Sequence, residues 1–207
     1  MKRLFALATV LTFVVAAFAQ TPQEILSRME TELDKHEADG VSMITDVKVP
    51  IVGTISTKTY MLGDYFRMET KTMGIDVIVW EDDKSTWTYN SKTNEVKIEK
   101  AKVTVNSEPE GDLDMFEGLT DGYDITLAKE TDKAWFFTLK KQKTNKSKEA
   151  PKQMDISVSK GTYLPLSLSA KVSGMTMTMH DISFGVSKSK VVFNAADFPG
   201  VTIKDER

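Results

Sequence analysis

The chain has 207 residues, with 27 Lys and Arg against 30 Asp and Glu, two His and no Cys. With no thiol and only His36 and His180, thiol catalysis, a Cys/His zinc site, a multi-histidine metal site and a disulfide framework are all excluded. The slightly acidic balance speaks against nucleic acid as a partner, because phosphate binding wants a basic face.

Lys2 and Arg3 precede an almost wholly apolar run from Leu4 to Phe18, and Ala17-Phe18-Ala19 supplies the small-x-small pattern that signal peptidase reads. The run is about 15 residues long, short of the roughly 20 that span a bilayer. Residues 1–19 are therefore expected to be a cleavable secretory signal peptide, with an uncleaved anchor as the alternative. Residues 20–207 are then one mature domain working outside the cytoplasm. Losing Lys2 and Arg3 leaves 25 basic against 30 acidic residues, a formal charge of −5. An exported chain without cysteine must be held by its core.

Thr21-Pro22-Gln23-Glu24 reads as a capping box with Pro at the first helical position. Ile25, Leu26, Met29 and Leu33 follow at helical spacing, and Gly40 is a stop signal. An amphipathic helix of four to five turns is expected.

Almost everything after Gly40 reads as strand. About eleven strands are expected, drawn from the segments near 41–46, 51–62, 65–70, 75–80, 85–89, 96–99, 123–129, 134–140, 153–159, 163–172, 175–184 and 190–193. Turns such as Gly63-Asp64 and Glu81-Asp82-Asp83-Lys84 punctuate them. Asp112 to Leu119, with Leu113, Met115, Phe116 and Leu119, reads as a short second helix. No strand-helix-strand alternation, internal repeat or dividing linker is visible, so one antiparallel sandwich or barrel is expected. Lys140 to Lys152 holds six Lys and one Glu with no apolar face. It reads as a solvated hairpin tip, or as a docking tip for an anionic partner or lipid headgroups.

Several strands are apolar in a particular way, and eleven Met are many for the length. Met175, Met177 and Met179 alternate with Thr, and Leu164, Leu166 and Leu168 alternate with Pro165 and Ser167 one strand earlier. Trp135, Phe137 and Leu139 add bulk. Methionine is unbranched and polarizable, and it suits a surface that accepts variable apolar shapes. Two readings stay open: an ordinary filled core, or a lidded apolar pocket under the two helices. Soft thioethers also select copper(I), but on a strand His180 points away from the three Met side chains. Glu81, Asp82 and Asp83 read as a turn of solvated carboxylates rather than a calcium site. There is no Gly-x-Ser-x-Gly elbow and no paired catalytic motif, so catalysis is the least favoured class and no cofactor is implied.

The order of elements resembles the outer-membrane lipoprotein carrier (LolA-like) family across the whole mature sequence. Asp82-Asp83-Lys84-Ser85-Thr86-Trp87-Thr88-Tyr89 is similar to the family's D-G-x-x-x-W-x-Y strand pair. Gly122-Tyr123-Asp124-Ile125 matches the strand after the central helix. Phe193 through Phe198-Pro199-Gly200-Val201-Thr202-Ile203-Lys204-Asp205 is similar to its closing F-x-x-x-x-P-x-G-V-x-V-x-D. Asp83 replaces the family's Gly, and its early-strand Arg-Pro is absent, the chain reading Met61-Leu62-Gly63-Asp64.

The resemblance implies a mainly β fold, an open and strongly curved antiparallel half-barrel. The N-terminal and short central helices would cover its concave apolar face. It implies a periplasmic carrier for acyl chains of lipoproteins or other lipids, taking cargo from an inner-membrane donor complex to an outer-membrane acceptor. The candidate cavity and lid residues are Ile25, Leu26, Met29, Leu33, Trp87, Leu113, Phe116, Phe137, Leu166, Leu168, Met175, Met177 and Met179. Transient membrane contact would fall to Lys140–Lys152. The rival readings are a lipid- or protein-sensing module without transfer, and a copper-binding or structural periplasmic protein.

Overall fold

In the computed structural model of the chain, residues 20–101, 116, 118–148, 150–172 and 174–207 are described. The segment expected to be a signal peptide and Leu113 lie outside them, as does most of the helix expected at Asp112–Leu119.

Helix α1 (Pro22–Asp34) forms where the capping box requires it. The Glu24 amide donates to the Thr21 hydroxyl at 3.2 Å, and the Thr21 amide donates to the Glu24 carboxylate at 2.8 Å. Two orphan amides of the first turn are thereby satisfied. The helix is shorter than four turns because residues 35–39 continue as turns before Gly40. Gly40 has φ +68, and a Cβ there would sit 2.5 Å from the Met61 carbonyl. Only glycine fits that close approach without strain. Thr21→Ala removes the cap acceptor, and chemical denaturation should show a loss of about 1 kcal/mol.

Twelve strands follow: β1 (Val41–Val49), β2 (Gly53–Leu62), β3 (Tyr65–Thr72), β4 (Ile75–Glu81), β5 (Ser85–Asn90), β6 (Glu95–Lys100), β7 (Tyr123–Glu130), β8 (Ala134–Lys141), β9 (Gln153–Ser159), β10 (Pro165–Val172), β11 (Met175–Phe184) and β12 (Thr202–Asp205). They form one open, curved sheet in the order β12-β6-β5-β4-β3-β2-β1-β11-β10-β9-β8-β7. Every neighbouring pair is antiparallel except β12, which runs parallel to β6. The twelfth strand is not the one expected. Residues 190–193 do not form a strand: α2 (Lys188–Val191) is a single helical turn, and the closing strand lies beyond it.

Cross-strand partners share a face, so the register sorts the side chains. One face, here face A, carries Val41, Met43, Leu168, Ile156 and Phe137. These join Ile25, Leu26, Met29 and Leu33 of α1 in the main core. The other face, B, is polar across the same half of the sheet. Ser42 pairs its hydroxyl with Ser183 at 2.9 Å, and Ser157 with Ser167 at 2.6 Å.

In the β3–β6 half the arrangement reverses. Trp80, Trp87, Tyr89, Val96 and Ile98 project from face B, in register with one another. Residues 188–198 cover them. Phe193 and Phe198 lie edge-on to Trp80 at 5.3 and 5.5 Å, and Val191 is buried. Arg67 clamps this cover. Its Nη1 donates to the Lys190 carbonyl at 3.1 Å, its Nη2 pairs with Glu69 at 2.8 Å, and its guanidinium lies over Trp80. The sheet therefore buries opposite faces in its two halves.

Candidate apolar site on the sheet

That reversal leaves face A of β2–β5 to be explained. The register places Met61, Phe66, Met68, Val77, Val79 and Thr88 there, beside Val41, Met43 and the α1 core. Thr57, Thr59 and Thr70 complete the strip, and Ile55 and Ile75 extend it to the sheet's end. Each of these side chains is half-buried, Ile55 and Met68 included. The strip holds no ionised side chain short of Glu81, and its threonines present methyls as well as hydroxyls. Among the described residues, α1 packs at the β7 end, and the α2 turn meets β2 and β3 from face B. β-Branched residues and methionine give such a surface stiffness on the strands and adaptability at its centre.

The residues singled out from sequence divide into four groups. Ile25, Leu26, Met29, Leu33, Phe116, Phe137 and Leu168 come together in the main core, each at most 5 % exposed. Met179 packs against that core, whereas Met177 and Met175, further along the same face, are each 38 % exposed. Leu166 departs from the expected alternation. A register shift between Pro165 and Ser167 turns it outward, to 45 % exposure, while Leu168 stays buried. Trp87 also departs: it lies on face B, stacked on Phe193 at 6.3 Å, away from α1. Leu113 is outside the described residues.

His180 lies on face B, between Asp46 at 3.2 Å and Asp181 at 3.2 Å. The Ser56 hydroxyl and His180 together hold the Asp46 carboxyl below its usual range. The imidazole is thus engaged by carboxylates on the side away from Met177 and Met179. Asp82 accepts the Lys84 and Ser85 amides at 2.9 and 2.8 Å, which makes the acidic turn a local backbone cap. Glu30, on α1, titrates above its usual range because burial disfavours its charge and Asp121 and Asp34 lie nearby.

Sequence reasoning missed Met68, Val77 and Val79. Alternation along one strand shows which residues share a face, but only pairing shows which of two buried faces they join.

No protein-family model matches the sequence, and no curated protein is significantly similar to it. Solved structures to which the chain is similar include an uncharacterized conserved protein from Thermus thermophilus, at 15% identity and TM-score 0.45, covering 90% of this chain and 100% of that one. The complex of MucA and MucB from Pseudomonas aeruginosa contains a chain similar at 11% identity and TM-score 0.46, over 82% of this chain and 61% of that one. A LolA superfamily protein from Nitrosomonas europaea is similar at 10% identity and TM-score 0.33, over 86% and 100%. These likenesses are distant, and what the chain does is read from its own residues.

Proposed function

We propose that the protein is an exported, non-enzymatic carrier that holds acyl chains of lipids or lipoproteins against face A of β2–β5 and ferries them across the periplasm. The observation that carries this reading is the strip itself. It is a half-buried apolar surface that continues from a complete core, while Trp80, Trp87 and Tyr89 of the same strands lie on the other side under residues 188–198. Each methylene removed from water contributes about 0.8 kcal/mol, so a chain lying across four strands is held without any polar anchor. A carrier must also release its cargo. Threonine, valine and methionine give a wall that fits many chains loosely and none closely.

In this reading α1 is a fixed wall beside the strip, because its apolar face is already spent in the core. The lid role expected from the sequence would require those contacts to open.

Protein expressed with its leader and recovered from the periplasm should begin at Gln20 and release acyl lipids on organic extraction, read by mass spectrometry. Recovery of full-length chain in the membrane fraction, or an extract free of acyl lipid from protein that also binds no fluorescent fatty acid, would contradict the proposal.

A further inference from the structure

The antiparallel order brings five connections to one rim of the sheet: β1–β2, β3–β4, β5–β6, β8–β9 and β10–β11. Two of these tips end in bare hydrocarbon. Ile51 is 108 % exposed and Met73 is 95 % exposed, with Val52 beside Ile51. Both tip residues hold positive φ, 71 for Ile51 and 52 for Met73. That region favours Gly or Asn, and a β-branched residue there is strained. At the third tip, Val172 and Met175 are exposed and are cross-strand partners. The turns of the opposite rim, such as Gly63-Asp64 and Asp82–Lys84, expose no large hydrophobic residue among those described.

The same rim is basic although the chain is acidic. Residues 48–54, 71–76, 91–95, 140–153 and 171–176 hold ten lysines against Asp76, Glu95 and Glu149. Lys71 pairs with Asp76, and Glu95 is taken by Lys204. The β8–β9 connection is anchored at its base, where the Tyr123 hydroxyl donates to the Pro151 carbonyl at 2.9 Å. Between that connection and the β10–β11 hairpin lies a groove of about 920 Å³, lined by Lys148, Lys152 and Lys171 with Asp155 as its carboxylate.

We infer that this rim docks on an anionic lipid bilayer. Apolar tips that enter the headgroup boundary, ringed by lysines that meet anionic headgroups, are the two parts of a reversible membrane anchor. The docked orientation also gives Met175 and Met177 a use. They run along face A from the rim to Met179 at the core, with Val47 and Ile55 alongside, and so form an apolar path from the bilayer to the strip. The inference deepens the carrier reading, but its chemistry is independent of it.

The test is sedimentation of residues 20–207 with vesicles. Binding is expected to vesicles of phosphatidylcholine containing about a third phosphatidylglycerol, to be weak on phosphatidylcholine alone, and to fall at high salt. I51D/V52D/M73D should lower binding at least about tenfold, and K143Q/K146Q/K148Q by about fivefold per lysine, with melting temperatures unchanged because these side chains are solvated. The absence of cysteine allows a second readout that needs no binding-deficient variant. An environment-sensitive dye on M73C should shift to the blue on anionic vesicles, and the same dye on D64C should not. No binding, equal binding by the triple aspartate variant, or an equal shift at both labels would overturn the inference. Docking without acyl uptake would contradict the carrier reading alone, and acyl uptake without docking would contradict this inference alone.

Discussion

Leu33→Ala should destabilise the protein by about 2–5 kcal/mol, and by the same amount with and without a fatty acyl ligand. Leu33 is 3 % exposed within the cluster that joins α1 to β1, β8, β9 and β10. Truncation there loses buried surface and leaves a cavity, which sets the magnitude. A helix of 13 residues is marginal alone, so its docking contacts maintain it. If α1 were a lid that swings away when cargo enters, the loss would fall on the closed form and shrink in the loaded protein. If α1 is a wall, ligand raises the stability of wild type and variant equally, by mass action. Chemical denaturation of both proteins, each with and without ligand, measures the difference. A penalty that largely disappears with ligand would restore the lid.

Val79→Asp should lower acyl affinity by about 100-fold while leaving the fold intact. Val79 stands at the centre of the strip, flanked in register by Met68 and Thr88, and is half-buried. A carboxylate there keeps its hydration and prevents three or four methylenes of the cargo from lying down. At about 0.8 kcal/mol each that removes about 3 kcal/mol, or two orders of magnitude in dissociation constant. Val77→Asp, one pleat further along the same face, should act in the same way. Thr86→Asp, which stands beside Glu81 at the strip's margin, should have a smaller effect. Titration with a fluorescent fatty acid gives all three. Equal affinity across the series would place the acyl chain elsewhere.

Much of the fold was legible in the sequence because local signals determine it. The capping box fixed α1, turn residues separated the strands, and the absence of strand-helix alternation ruled out a parallel sheet. The errors arose where pairing overrode local pattern. Residues 190–193 look like a strand, yet Arg67 holds Lys190 and Val191 in the helical turn and the face-B aromatics hold Phe193 against the sheet. The shift between Pro165 and Ser167 depends on β9, so the Leu164-Leu166-Leu168 alternation could not reveal it.

The candidate site was harder to read for the same reason. The large side chains in the sequence, on α1 and in Phe137, Leu168 and Trp87, are mostly the ones that fill the two cores. The strip mixes Val and Thr with Met61, Phe66 and Met68, and their significance appears only when four strands are laid side by side. The methionine row was legible as a row, but not as a path that runs from core to rim.

The measurement that tests the central claim most directly is photolabelling with a fatty acid that carries a diazirine on its acyl chain, followed by peptide mapping. Face A of β2–β5 should take the label, at Met68, Val77 and Val79 above all, and unlabelled fatty acid should compete it away. Labelling confined to the face-B aromatics and residues 188–198, or scattered over the surface without competition, would contradict the account.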